Sequence, residues 1–141
     1  MEERTLILIK PDGVRRGLTG EIITRFERRG FKIIGLKKMK MTREIAEKHY
    51  QEHIGRDYYP ALMDFITSGP IIAMVLEAPD VIRLSRLMMG KTNPWEALPG
   101  TIRGDYGLIT RENIVHGSDS FESTQREIPI FFSEDELLTD N

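Results

Sequence analysis

Leu6-Ile7-Leu8-Ile9-Lys10-Pro11-Asp12-Gly13 is an unbroken apolar run of strand-forming residues, stopped by a lysine, a proline and a turn-forming pair. A strand with one wet face would alternate apolar and polar residues, so the continuous run predicts a central strand covered on both faces. Outward from it, Ile71-Ile72-Ala73-Met74-Val75-Leu76 predicts a second fully buried strand. Phe31 to Met41 mixes apolar residues with lysines, which discourage further pairing, and predicts a strand near a sheet edge. Ile114 and Val115 predict a fourth, short strand.

The segments between these runs carry helical signals. Thr19 is placed to cap a helix with Ile22, Ile23 and Phe26 on one face and Arg25, Glu27 and Arg28 on the other, stopped by Gly30. Thr42 opens a helix running toward His49 and Tyr50. Pro60 suits the first turn of another, with Leu62, Phe65 and Ile66 inward and Gly69 past its end, so the two predict a helical hairpin. Pro79 is read as starting a helix that Gly90 closes, and Asp119 or Ser120 as capping a last helix limited by Pro129. Between Gly90 and Glu112 the chain carries Pro94, Pro99, Gly100, Gly104 and Gly107 with little periodicity, and a loop of that length in a compact domain is usually functional. This order predicts an α+β fold: a ferredoxin-like split β-α-β sandwich. Its four-stranded, mainly antiparallel sheet is covered by helices, with the long functional loop just before His116.

With 141 residues, 40% of them hydrophobic, a single domain spanning 1–141 is expected. Lys+Arg 20 against Asp+Glu 22 gives a net charge of -2, so no global field draws the protein to nucleic acid or anionic lipid, and any anion site must be local. The lack of cysteine excludes disulfides, thiolate zinc sites and thiol nucleophiles. Glu2, Glu3, Arg4 and Lys10 surround an apolar run too short and too acidic for a secretion signal, and Ile71 to Leu76 is too short to span a bilayer. A cytoplasmic protein is expected.

The chemistry concentrates in Asn113-Ile114-Val115-His116-Gly117-Ser118-Asp119-Ser120. His116 ends a short apolar run and precedes a glycine and a group of helix-starting residues, which is how a nucleophile is presented on a fixed backbone. Alone it reads first as a core histidine satisfied by its neighbours, and the other residues around it turn the reading toward chemistry. Lys10 at the end of a buried strand, Arg86 near the end of a helix and Arg103 in the long loop each read alone as solvated charges. Together with His116 they resemble a polyphosphate site, in which guanidinium forks take phosphate oxygens in pairs and an ammonium adds a compact charge. Glu127, one or two turns into the last helix, is placed to fold back on His116. A carboxylate accepting from one ring nitrogen fixes the tautomer and frees the other nitrogen's lone pair. Gly90-Lys91-Thr92 imitates the end of a phosphate-binding loop but lacks the glycine five residues earlier, where Ser85 stands.

These residues resemble the nucleoside diphosphate kinase family nearly end to end. The likeness runs through Ile9-Lys10-Pro11-Asp12-Gly13, Lys48-His49-Tyr50, Ser68-Gly69-Pro70, Thr92-Asn93-Pro94, Pro99-Gly100-Thr101-Ile102-Arg103-Gly104-Asp105 and the string around His116. The resemblance implies ping-pong transfer of a phosphoryl group from a nucleoside triphosphate, typically ATP, to a nucleoside diphosphate, with broad tolerance of the base. His116 would be the phosphate acceptor, supported by Glu127 and Ser118, with Tyr50 near the phosphate. Arg86, Thr92 and Arg103 would bind phosphates, Lys10 and Asn113 would reach the sugar and the reacting phosphate, and Tyr58 would stack on the base. Mg2+ would ride on the nucleotide phosphates with no protein ligand, and a homo-oligomer, tetramer or hexamer, is implied. Family members commonly carry phenylalanine at the position of Tyr58, valine at Thr110 and proline at Asp57. Two rivals stand beside this reading. A nucleotide-sensing relic of the fold would be expected to lose His116 or a phosphate-binding cation, and an RNA-binding module would display aromatics on its strands, which here are mostly aliphatic.

Overall fold

The computed structural model describes residues 2–139; Met1, Asp140 and Asn141 of the expected 1–141 domain lie outside them. Four strands, β1 (Glu2–Ile9), β2 (Lys32–Lys40), β3 (Pro70–Pro79) and β4 (Val115–Gly117), form one sheet. They lie in the order β2-β3-β1-β4, and every neighbouring pair is antiparallel. The two continuous apolar runs are the two inner strands: Leu6 faces Val75, Ile7 faces Met74, Leu8 faces Ala73 and Ile9 faces Ile72. Side chains alternate between faces with period two. Leu6, Leu8, Ala73 and Val75 therefore pack into one layer, with α3 (Arg43–His49), α4 (Tyr59–Ile66) and α7 (Phe121–Phe131) supplying Ala46, Met63, Ile66, Ile128 and Phe131. Ile7, Ile9, Ile72 and Met74 pack into the other, with α2 (Thr19–Arg29), α5 (Val81–Met89) and α6 (Ile102–Tyr106) supplying Ile22, Phe26, Val81, Met89 and Ile102. This is the ferredoxin-like sandwich expected. Helices cover both faces of the sheet, so it offers no open aromatic platform for stacking RNA bases. Among the described residues no helix is long and apolar enough to cross a membrane.

Several local expectations change. Pro11 does more than end β1: it opens a short helix, α1 (Pro11–Arg15), for which its fixed φ and missing N–H suit the first turn. Thr19 is the first residue of α2 and makes no cap, Leu18 holding that position, while Gly30 ends the helix in the left-handed region at φ 104. Pro79 is the last residue of β3, opposite Glu2 and past the end of the pairing with β2, where no partner strand needs its missing donor, and α5 begins at Val81. Pro129 does not limit α7. The helix runs on to Phe131 because Ile128 and Phe131 anchor its last turn in the core while Pro129 faces solvent. The loop from Gly90 to Glu112 is not featureless: it holds a 3-10 turn at Pro94–Glu96 and α6, whose start is fixed by Thr101 Oγ1 accepting from Gly104 N at 3.0 Å. In α4 the fully buried residues are Met63 and Ile66, with Leu62 and Phe65 half-buried. His116 sits in the middle of β4, and Ile114 lies outside the strand.

Candidate active site

The placement of His116 follows from strand pairing. It lies directly opposite Leu8, so its side chain projects to Leu8's face of the sheet, the face covered by α3 and α7. That is why a residue from the end of α3 and one from α7 both reach it. Just before β4, Ile114 adopts φ 78, a conformation that costs a β-branched residue on the order of 1–3 kcal/mol and persists only where its surroundings impose it. The imposing groups belong to the first string of the sequence. Asp12 Oδ2 accepts from Ile114 N at 3.0 Å, and Lys10 N donates to the Ile114 carbonyl at 2.8 Å. Gly13 is required because a Cβ there would stand 2.8 Å from Ile9 Cγ2 and 2.9 Å from Ile114 Cγ2. Lys10-Pro11-Asp12-Gly13 is thus the cradle of the histidine strand. The sequence reading took it for a strand terminator and missed Asp12, which is buried and whose carboxyl burial pushes up, against the pull of Lys10.

His116 Nε2 lies 3.0 Å from Glu127 Oε1, and Ser118 Oγ donates to the same oxygen at 2.8 Å. Arg126 donates to Oε2 at 3.3 Å, so both carboxylate oxygens are engaged. Burial alone would raise the Glu127 carboxyl, but the hydrogen bonds from His116 and Ser118 hold it below the usual range. An ionised carboxylate only accepts, so Nε2 carries the hydrogen and Nδ1 is left with a free lone pair. His49, which the sequence reading did not single out, stands edge-on to His116 with ring centroids 4.6 Å apart. Burial, then the neighbouring His116, push His49 down to about 3, so it is neutral. Tyr50 packs edge-on against His49 at 4.5 Å, with its hydroxyl buried and its phenol raised by burial.

The cations close around the same strand. Lys10 Nζ donates to Asn113 Oδ1 at 2.7 Å, and Asn113 Nδ2 donates to the Thr92 carbonyl at 2.9 Å. Desolvation, with a smaller contribution from Arg103, lowers the Lys10 ammonium to about 8. Arg103 is buried and holds three backbone carbonyls: Asn113 through Nε at 3.2 Å, Gly90 through Nη1 at 2.8 Å and Val115 through Nη2 at 2.7 Å. Desolvation and Arg86 lower it to about 10, still charged at neutral pH. Three of its five N–H groups are used, leaving two for a ligand. Arg86 Nη1 donates to the Gly117 carbonyl at 3.0 Å. Arg103 therefore does more than the sequence reading assigned it, since it also fixes the backbone on either side of Ile114.

These groups open on one cavity of about 670 Å³. Lys10, Tyr50, Tyr58, Arg86, Thr92, Arg103, Asn113, His116 and Glu127 all line it, and Ser118 lies behind its wall, fully buried. The fold thus brings together every residue that the sequence reading named. Thr110 lines it too, and the fold adds His49, His53, Arg111, Ser123 and Arg126. Tyr58 is 47% exposed at the rim, and its hydroxyl is paired with His53 Nδ1 at 2.5 Å. Of the pocket's carboxylates, Glu127 is committed to His116 and Ser118, Asp119 accepts from Ser123 and Glu52 is exposed. No convergent set of oxygen ligands remains among the described residues, which fits a magnesium ion carried by phosphate oxygens.

Comparison with known proteins gives one answer throughout. The nucleoside diphosphate kinase family pattern matches residues 3–137. A nucleoside diphosphate kinase of Carboxydothermus hydrogenoformans is 60% identical over 137 residues, covering 97% of this chain and 92% of the relative. One from Thermus thermophilus is 57% identical over 136 residues, covering 96% of this chain and 99% of the relative. Among solved structures, a nucleoside diphosphate kinase of Halobacterium salinarum in complex with CDP superposes with a TM-score of 0.97 at 47% identity, covering 100% of this chain and 94% of that one. That of Aquifex aeolicus superposes with a TM-score of 0.95 at 40% identity, covering 98% and 100%.

Proposed function

The chain belongs to the nucleoside diphosphate kinase family and is a phosphotransferase acting on nucleoside diphosphates, and from that premise we propose a ping-pong mechanism through a phosphohistidine on His116. The observation that carries this reading is the shared Glu127 oxygen, which takes Nε2–H of His116 and the Ser118 hydroxyl together and so leaves a bare Nδ1 on a ring that lines the cavity. In the first half-reaction the Nδ1 lone pair forms a bond to the terminal phosphorus. The bond from that phosphorus to the bridging oxygen breaks, and the leaving diphosphate keeps the electron pair. Glu127 holds the positive charge that develops on the ring. Lys10, Arg86 and the two unused N–H groups of Arg103 face the charge spread over the phosphoryl oxygens, where preorganised donors act most strongly. A second diphosphate reverses these steps at the same site. Mg2+ held by the nucleotide's own phosphate oxygens would neutralise part of their charge.

Base tolerance follows from the rim. Tyr58 offers a ring face, and its hydroxyl, the group able to read a base edge, is already paired with His53. ATP is the proposed donor, and Asn113 and Lys10 are placed to meet the sugar and the reacting phosphate. The chain is proposed to work as one domain and as a homo-oligomer. Leu87, Leu98 and Phe121, each more than half exposed, line one surface depression that a second copy would cover. The absence of cysteine suits the reducing cytoplasm, where nucleotide pools lie. The test is incubation with γ-labelled ATP and magnesium. Acid-labile, base-stable label is expected on the wild type and none on His116→Ala, with turnover lower by several orders of magnitude. Near-normal turnover in that variant refutes the mechanism.

A further inference from the structure

The proposed transfer chemistry gives His49 no step. It is 4% exposed, and neither ring nitrogen has a hydrogen-bond partner among the described residues. Yet its ring faces His116 at 4.6 Å, and one ligand atom each of His49, His116 and Glu127 lie within 4.8 Å of one another. Two imidazoles and a carboxylate around a common point are the donor set of many zinc sites, and a hard ion such as Mg2+ would decline it for all-oxygen surroundings.

We propose that in the nucleotide-free protein His49, His116 and Glu127 bind a transition-metal ion of the Zn2+ class. Tetrahedral donors about 2.1 Å from zinc stand roughly 3.4 Å apart, so the group has only to close by about 1.4 Å at its widest, within the reach of ring rotations. The carboxylate already touches His116 Nε2 at 3.0 Å, which makes that nitrogen the ligand on His116. Binding there has a chemical consequence. The metal takes the Nε2 lone pair, the Nε2 proton is released and Nδ1 takes up one proton, so the ring stays neutral while the lone pair needed for attack is gone. Metal binding and phosphoryl transfer are then mutually exclusive. This consequence rests on the proposed phosphohistidine reading, whereas the site itself rests on the three side chains alone.

Zn2+ alone, titrated calorimetrically into nucleotide-free protein without a histidine tag, is expected to saturate at one ion per chain. Co2+ should give the absorption bands of a four- or five-coordinate ion. His49→Gln and His116→Ala should each weaken binding at least tenfold, and His53→Gln should leave it unchanged. Undiminished affinity in His116→Ala, whose side chain is partly exposed and which circular dichroism should show folded, overturns the site even where His49→Gln fails to fold, as does the lack of saturable binding. Protein preloaded with one equivalent of Zn2+ should form phosphoprotein from labelled ATP at least tenfold more slowly, with recovery after chelation. Normal labelling of the loaded protein overturns the exclusivity. Failure of the metal-free protein to label at all refutes the phosphohistidine reading and leaves the metal titration standing.

Discussion

Replacing Asp12 tests whether the strained approach to the histidine strand is held from α1. In Asp12→Ala the buried Ile114 N–H loses its acceptor, which costs about 1–3 kcal/mol if the backbone stays in place. The alternative is relaxation of Ile114 out of its left-handed conformation, which recovers a similar amount of strain but moves Val115 and His116, and a misplacement of about 1 Å can cost roughly 100-fold in rate. The expected result is a stability loss of about 1–3 kcal/mol, a fall in Tm of about 4–12 °C, with a larger loss in kcat. Asp12→Asn keeps an oxygen acceptor and should stay within about 1 kcal/mol of the wild type, but it removes the charge that raises the Lys10 pKa. Its high-pH limb should therefore move to lower pH. Urea unfolding at matched protein concentration, with kcat/KM measured against pH, separates these outcomes. An Asp12→Ala protein within about 0.5 kcal/mol of the wild type with normal kcat/KM would refute the argument that Asp12 holds this segment.

Glu127→Gln should lower the rate of phosphohistidine formation by about 10²–10⁴-fold, since an amide can turn its NH2 to Nε2 and favour the wrong tautomer; a near-normal single-turnover rate would remove Glu127 from the mechanism. Lys10 is charged below about 8 and neutral above, so its attraction for phosphate is present at lower pH and lost as pH rises, and kcat/KM should fall above pH 8 while the fold stays intact by circular dichroism. Tyr58→Ala should weaken guanosine, adenosine, cytidine, uridine and thymidine diphosphates together, by about 1–3 kcal/mol in kcat/KM at a fixed donor. Loss confined to one base would show an edge contact that the His53-paired hydroxyl does not leave room for.

Much of the architecture was legible because burial writes itself into local composition. Leu6–Ile9 and Ile71–Leu76 are apolar without interruption and became the two inner strands, and the lysines of Phe31–Met41 marked the edge strand β2. Punctuation was less reliable, since a proline's meaning depends on what packs around it. Pro129 reads as a stop, yet Ile128 and Phe131 carry the helix past it, and Pro79 ends a strand instead of starting a helix.

The sequence by itself determined the family, the layered α+β fold and the identity of the reactive groups, His116, Glu127 and the cations, because their residue types and spacing are local and unusual. Only the tertiary structure decided how they act, since that depends on contacts between residues far apart in the chain. The pairing of His116 with Leu8 sets the face on which the imidazole emerges, and Asp12 reaches 102 residues along the chain to hold Ile114. The neutral His49 comes to lie beside His116 for the same reason: antiparallel pairing and helix packing superimpose segments whose order along the chain carries no record of the contact.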